Sequence, residues 1–145
     1  MSRFVTPTEV RLPISDGDYL IVKERLNLGD ATERTARMLN AEGTAVDPLK
    51  YGRAQVQTYL VDWSLTDAAG RIVSIREEPP AVVAAALENL DPEDFREILE
   101  AIEAHEQRMT AAREEKKSTR SGATVPAAIS PSLVAVGGGM SGSRS

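Results

Sequence analysis

Hydrophobic positions first alternate along the chain and then fall into helical spacing. Val10, Leu12 and Ile14 take every second position, Ser15-Asp16-Gly17-Asp18 has turn composition, and Tyr19-Leu20-Ile21-Val22 resumes an extended run. This pattern predicts a β-hairpin. Pro13 has no amide donor, which assigns the first strand to a sheet edge or a bulge. Two strands alone are marginal in water, so the hairpin must pack on something else.

Helical signals follow. Asp30-Ala31-Thr32-Glu33 has capping-box spacing and opens a helix to about Asn40, with a weak apolar stripe of Ala36, Met38 and Leu39 and a stop at Gly43. Asp47 as N-cap and Pro48 at the first helical position open a second helix, expected to run from Leu49 to about Asp62. Its apolar positions are Leu49, Val56, Tyr59, Leu60 and Trp63; Gly52 costs it up to about 1 kcal/mol relative to alanine. Beyond Trp63, the only tryptophan, the pattern turns extended. Leu65, the turn Asp67-Ala68-Ala69-Gly70, and Ile72, Val73 and Ile75 read as a short hairpin or arm that Pro79-Pro80 ends. A large aromatic at that changeover suits the joint between helix and extended chain in one small core.

Two more helices are expected. One spans about Pro80 to Asn89 and buries Val83, Leu87 and their neighbour Leu90. The other starts at Asp91-Pro92-Glu93-Asp94, with N-cap, proline and first-turn acids in place, and reaches about Lys117. Phe95, Ile98, Leu99, Ile102 and Met109 mark its apolar face, opposite Arg96, Glu97, Glu100, Glu103 and Gln107. The expected fold class is α+β and mainly helical: a short N-terminal β-hairpin packed with about four helices. Residues 1–118 are expected to form one small globular domain. Residues 119–145, rich in Ser, Gly, Ala and Pro and including Gly137-Gly138-Gly139, read as a disordered tail.

Aromatics make up 4% of the 145 residues, so the core must rely on Leu, Val, Ile and Ala. A net charge of −5 without a basic run interleaved with aromatics argues against nucleic acid as a partner. The absence of cysteine removes disulfides, thiolate nucleophiles and cysteine metal sites. Met1 to Pro7 has no apolar signal region, and no run reaches the roughly 20 apolar residues of a spanning helix, so a cytoplasmic protein with no membrane partner is expected.

Candidate chemistry is thin. His105, the only histidine, lies among Glu100, Glu103 and Glu106 on the last helix and reads as a surface residue. Asp16, Gly17 and Asp18 are explained by turn chemistry, the loop being far too short for calcium. Asp62 and Asp67 flank Trp63 and are the best available carboxylate pair for acid–base work, but read more simply as a helix-end acid and a turn acid. Arg113-Glu114-Glu115-Lys116-Lys117 is a charged helix end that complements the helix dipole. The sequence therefore assigns no catalytic residue, no metal ligand and no cofactor. Phe95, Ile98, Ile102 and Met109 are the candidate partner-binding positions, because the last helix outlasts the expected core and its distal part can dock on a second protein or on itself.

The order of these features resembles a known family. The hairpin leads to Leu26-Asn27-Leu28-Gly29; a helix ends in Tyr59-Leu60-Val61-Asp62-Trp63-Ser64-Leu65-Thr66-Asp67, with Gly70 closing the turn; Leu90-Asp91-Pro92-Glu93-Asp94 starts the last helix. Over about residues 8–117 this resembles the small tail assembly chaperones of long-tailed bacteriophages and prophages. The resemblance implies a non-catalytic protein of the host cytoplasm that binds the tape-measure protein, helps to recruit tail-tube subunits and is absent from the finished particle. It also implies a longer product made by ribosomal frameshifting, a junction that Gly137-Gly138-Gly139 would tolerate. A structural particle component, such as a head–tail connector or minor tail protein, is the alternative.

Overall fold

In the computed structural model, which describes residues 2–120 and the side chains of 2–118, the chain is α+β and mainly helical. β1 (Glu9–Pro13), a 3-10 turn (Ser15–Gly17) and β2 (Tyr19–Lys23) form the expected hairpin. α1 (Leu28–Met38), α2 (Pro48–Tyr59), β3 (Leu60–Trp63), α3 (Pro80–Glu88) and α4 (Pro92–Arg120) follow. The tail expected over 119–145, with its glycine triplet, lies outside the described residues apart from residues 119 and 120 at the end of α4.

The sheet is antiparallel, in the order β1-β2-β3. β1 and β2 pair Glu9 with Lys23 through Pro13 with Tyr19. Backbone bonds from Glu24 to Thr8 (2.8 Å) and from Ile14 to Asp18 (2.9 Å) bracket this ladder. By alternation, even-numbered residues of β1 direct their amides at β2 and odd-numbered ones direct theirs outward. Pro13 is odd-numbered, so the donor it lacks is one that β2 does not use. The edge assignment from sequence holds for this reason.

β3 was not legible as a strand. The helix expected to reach Asp62 ends at Tyr59, and Leu60–Trp63 pairs with β2 through a bulge between Ile21 and Val22. β-Branched and aromatic residues at 59–63 satisfy both periodicities over so short a run, and tertiary pairing decides. Ser64 extends the pairing: its amide donates to the Tyr19 carbonyl (3.1 Å) and its hydroxyl accepts from the Tyr19 amide (2.9 Å). The chain then turns at Asp67, whose carboxylate accepts from the amides of Ala69 and Arg71, and returns through a Thr66–Ile72 bridge.

Leu12, Leu20 and Val22 face inward from the sheet and meet Val56, Tyr59, Leu60, Trp63, Ile75, Leu87, Ile98 and Ile102 in one core. Trp63 is 4% exposed, and its indole N–H donates to the Val73 carbonyl at 2.6 Å, tying β3 to the returning arm. Gly52 marks the close approach of α2 to α4: a Cβ there would stand 3.2 Å from Leu99 Cδ2 and 3.5 Å from Phe95 Cε2.

α1 starts two residues before the expected position. Its N-cap is Asn27, and Asn27 and Asp30 form the capping box. The expected apolar stripe does not bury it: Ala36 is exposed, and no α1 residue is fully buried. Arginines hold it instead, Arg34 bonding Gln55 (2.9 Å) and Arg37 bonding Thr58 (3.2 Å) on α2. Residues up to Gln107 form one compact unit, and the chain from Arg108 counts as a second. In that second unit, residues 108–118 are helical and exposed, except for half-buried Met109.

Candidate functional site

The densest polar cluster converges on Glu106 of α4. Its carboxylate accepts from Arg34 of α1 (2.8 Å) and from Gln55 and Tyr59 of α2 (2.7 Å each). Arg34 also donates to Gln55, which closes the cluster. Burial is the largest single influence on Glu106 and opposes its ionisation, but the hydrogen bonds from Arg34, Tyr59 and Gln55, with the Arg34 charge, outweigh it. The carboxyl is held below its ordinary range. Burial, then the hydrogen bond to Glu106, pushes the Tyr59 phenol well above its ordinary value, so it stays a neutral donor. One turn earlier on α4, Glu103 accepts from Tyr51 at 3.1 Å, and burial followed by that bond raises the Tyr51 phenol too. Both Glu106 oxygens and both ends of the Gln55 amide are taken up within this cluster, which suits it to clamping three helices.

His105 corrects the sequence reading. It is 1% exposed rather than on the surface, and its Nε2 lies 3.0 Å from the Glu24 carbonyl and 3.2 Å from that of Lys23. Between two carbonyl acceptors, Nε2 must carry the proton. The ring stands edge-on to Tyr59, with centroids 6.0 Å apart. His105 thus fastens the end of β2 to α4. The sequence signal for this was available in its spacing: it follows Ile98 by seven residues and Ile102 by three, on the apolar face.

The Asp62 and Asp67 carboxylates do not converge. Asp62 contacts the amide of Ile75 (3.4 Å) and Arg76 Nε (3.5 Å), while Asp67 is taken up by its own turn. Arg76 also reaches Glu9 with two bonds (3.0 and 3.1 Å), and so straps the arm across the solvent face of all three strands. The hydrogen bond from Arg76 holds the Glu9 carboxyl below its ordinary range. Asp18 accepts from the Ser64 hydroxyl (2.9 Å), and Asp16 adopts a left-handed turn conformation at φ 60°. No group of three or more metal-ligating side chains occurs among the described residues.

Of the four candidate partner-binding positions, Ile98 and Ile102 are spent in the chain's own core, at 1% and 0% exposure. Phe95 is half-buried against that core, and Met109 is half-buried in the second unit. The large apolar side chains that do face solvent are elsewhere: Phe4, Leu28, Leu49 and Ile72 are each more than half exposed, as is Val46. Two shallow grooves flank Val61 and Lys23. One, of about 320 Å³, is lined by Val5, Pro7, Arg25 and Asn27; the other, of about 220 Å³, by Arg37, Gln57, Ile75 and Pro80. No helix of the described residues is long and apolar enough to cross a membrane. In comparisons with known proteins, no family model matches the chain, and no curated protein or solved structure is detectably similar to it.

Proposed function

We propose that this protein is a non-catalytic tail assembly chaperone, which binds the tape-measure protein in the host cytoplasm and promotes assembly of the tail tube around it. The family resemblance of Tyr59–Gly70 and of the Leu90–Asp94 helix start motivates the reading. The observation that carries it is how polar and apolar side chains are used. The buried polar residues Gln55, Thr58 and His105 are all engaged within the fold, whereas Phe4, Leu28, Leu49 and Ile72 are left to water. Exposed apolar side chains suit the covering of a client's apolar segments.

Co-expression with a tape-measure protein from the same genome is the test. The expected result is a soluble complex that co-elutes, from a client that precipitates when expressed alone, and no copies in purified particles by mass spectrometry. A client equally soluble without this protein, or stoichiometric copies in mature particles, would overturn the reading.

A further inference from the structure

We propose that β1 is a self-association edge, through which two copies of this chain pair antiparallel about a two-fold axis at Val10. β1 ends the sheet, and its outer edge has no strand beside it among the described residues. The ladder to β2 leaves the amides of Glu9 and Arg11 pointing outward, with Pro13 closing one end as a residue that cannot donate. Pro7, the next odd-numbered position, closes the other.

Two such edges can meet only with odd-numbered residues opposite one another, because only these carry outward backbone groups. Three registers near the centre of the strand satisfy that condition, and each offers four interchain backbone bonds. Charge separates them. Centring on Glu9 sets two carboxylates opposite each other, and centring on Arg11 sets two guanidiniums opposite each other. Centring on Val10 sets Glu9 opposite Arg11 of the second copy, twice, on the solvent face of the sheet. The same register puts Val10 against its own equivalent on the inner face, where its side chain is half-exposed in the single chain.

Both charged side chains already have partners within the single chain. The two hydrogen bonds from Arg76 fix the Glu9 carboxylate, and the Arg11 guanidinium lies 3.6 Å from the centroid of the Tyr19 ring. Cation–π stacking leaves the rim N–H groups of an arginine free to donate in its plane. The prolines limit the pairing to one short window, which favours a closed dimer over open-ended strand addition.

A single five-residue edge buries less than the roughly 1,000 Å² of a stable specific interface, so the association belongs to the weak, concentration-dependent class. Sedimentation equilibrium of the full chain, followed to about 1 mM, is the measurement. The wild type should pass from monomer to dimer within that range. Arg11→Glu and Glu9→Arg should each stay monomeric alone, and an equimolar mixture of the two should associate, since every cross-strand pair is then again of opposite sign. Arg11→Pro removes an outward amide that β2 does not use, and should abolish association while the circular dichroism spectrum stays native. A wild type monomeric up to the highest concentration, or an Arg11→Glu variant that associates as well as wild type, would overturn the proposal.

Discussion

Trp63 and Gly52 show how far a single residue can be understood from its neighbours. Trp63 combines a buried ring with one buried donor, and the two contributions separate experimentally. Trp63→Ala should cost about 3–5 kcal/mol in urea unfolding, from lost burial and the cavity left behind. Trp63→Phe keeps much of the ring but orphans the Val73 carbonyl, and should cost about 1–3 kcal/mol. A Trp63→Phe variant as stable as wild type would mean that the indole hydrogen bond contributes nothing. Gly52 looks like a flaw when α2 is considered alone, because alanine would be favoured there by about 1 kcal/mol. The structure supplies the reason for it: Leu99 and Phe95 occupy the space of a side chain. Gly52→Leu should cost about 1–3 kcal/mol by forcing α2 from α4, despite leucine's better helix propensity, and a thermal melt measures it.

At the scale of elements, what was legible followed from local chemistry and what was missed depended on tertiary contact. The hairpin, the Asp47-Pro48 start of α2, the Pro80 start of α3 and the Asp91-Pro92 start of α4 are written in caps, prolines and alternation that act within a few residues. β3 and the true environment of His105 depend on partners 38 to 81 positions away in sequence, which no local pattern encodes. The Glu106 clamp belongs to this second group, since Arg34, Gln55 and Tyr59 meet only in three dimensions. It makes a prediction with a definite sign. The Glu106 carboxyl is held below its ordinary value of 4.5 in the fold, so its stabilisation is fully present above that pH and fades as pH falls through the lowered value. Glu106→Gln should therefore destabilise the protein at pH 7, by about 1.5–3 kcal/mol for loss of charge-assisted hydrogen bonds. The difference from wild type should narrow in melts taken progressively below pH 4.5. A gap that stays constant from pH 7 to pH 3 would assign the loss to packing instead.

For the whole molecule, the question is whether the stretch beyond the first unit serves folding or partner binding. All the core residues lie between Leu12 and Ile102, and the last side chains that fasten α4 within that unit are His105 and Glu106. Residues 110–118 are exposed and mostly charged, a composition that adds little burial energy. A chain cut after Gln107 should accordingly unfold in one cooperative transition, with a stability loss of at most about 1 kcal/mol, well below that of Trp63→Ala. The same cut chain offers a clean separation of roles in the co-expression assay. If it folds and still holds the tape-measure protein in solution, the client surface lies within residues 2–107, where Leu49, Ile72 and Phe4 present their apolar side chains to water. If it folds but releases the client, the charged helix and the residues after it carry the interaction. If it fails to fold, the placement of the whole core within residues 12–102 is wrong.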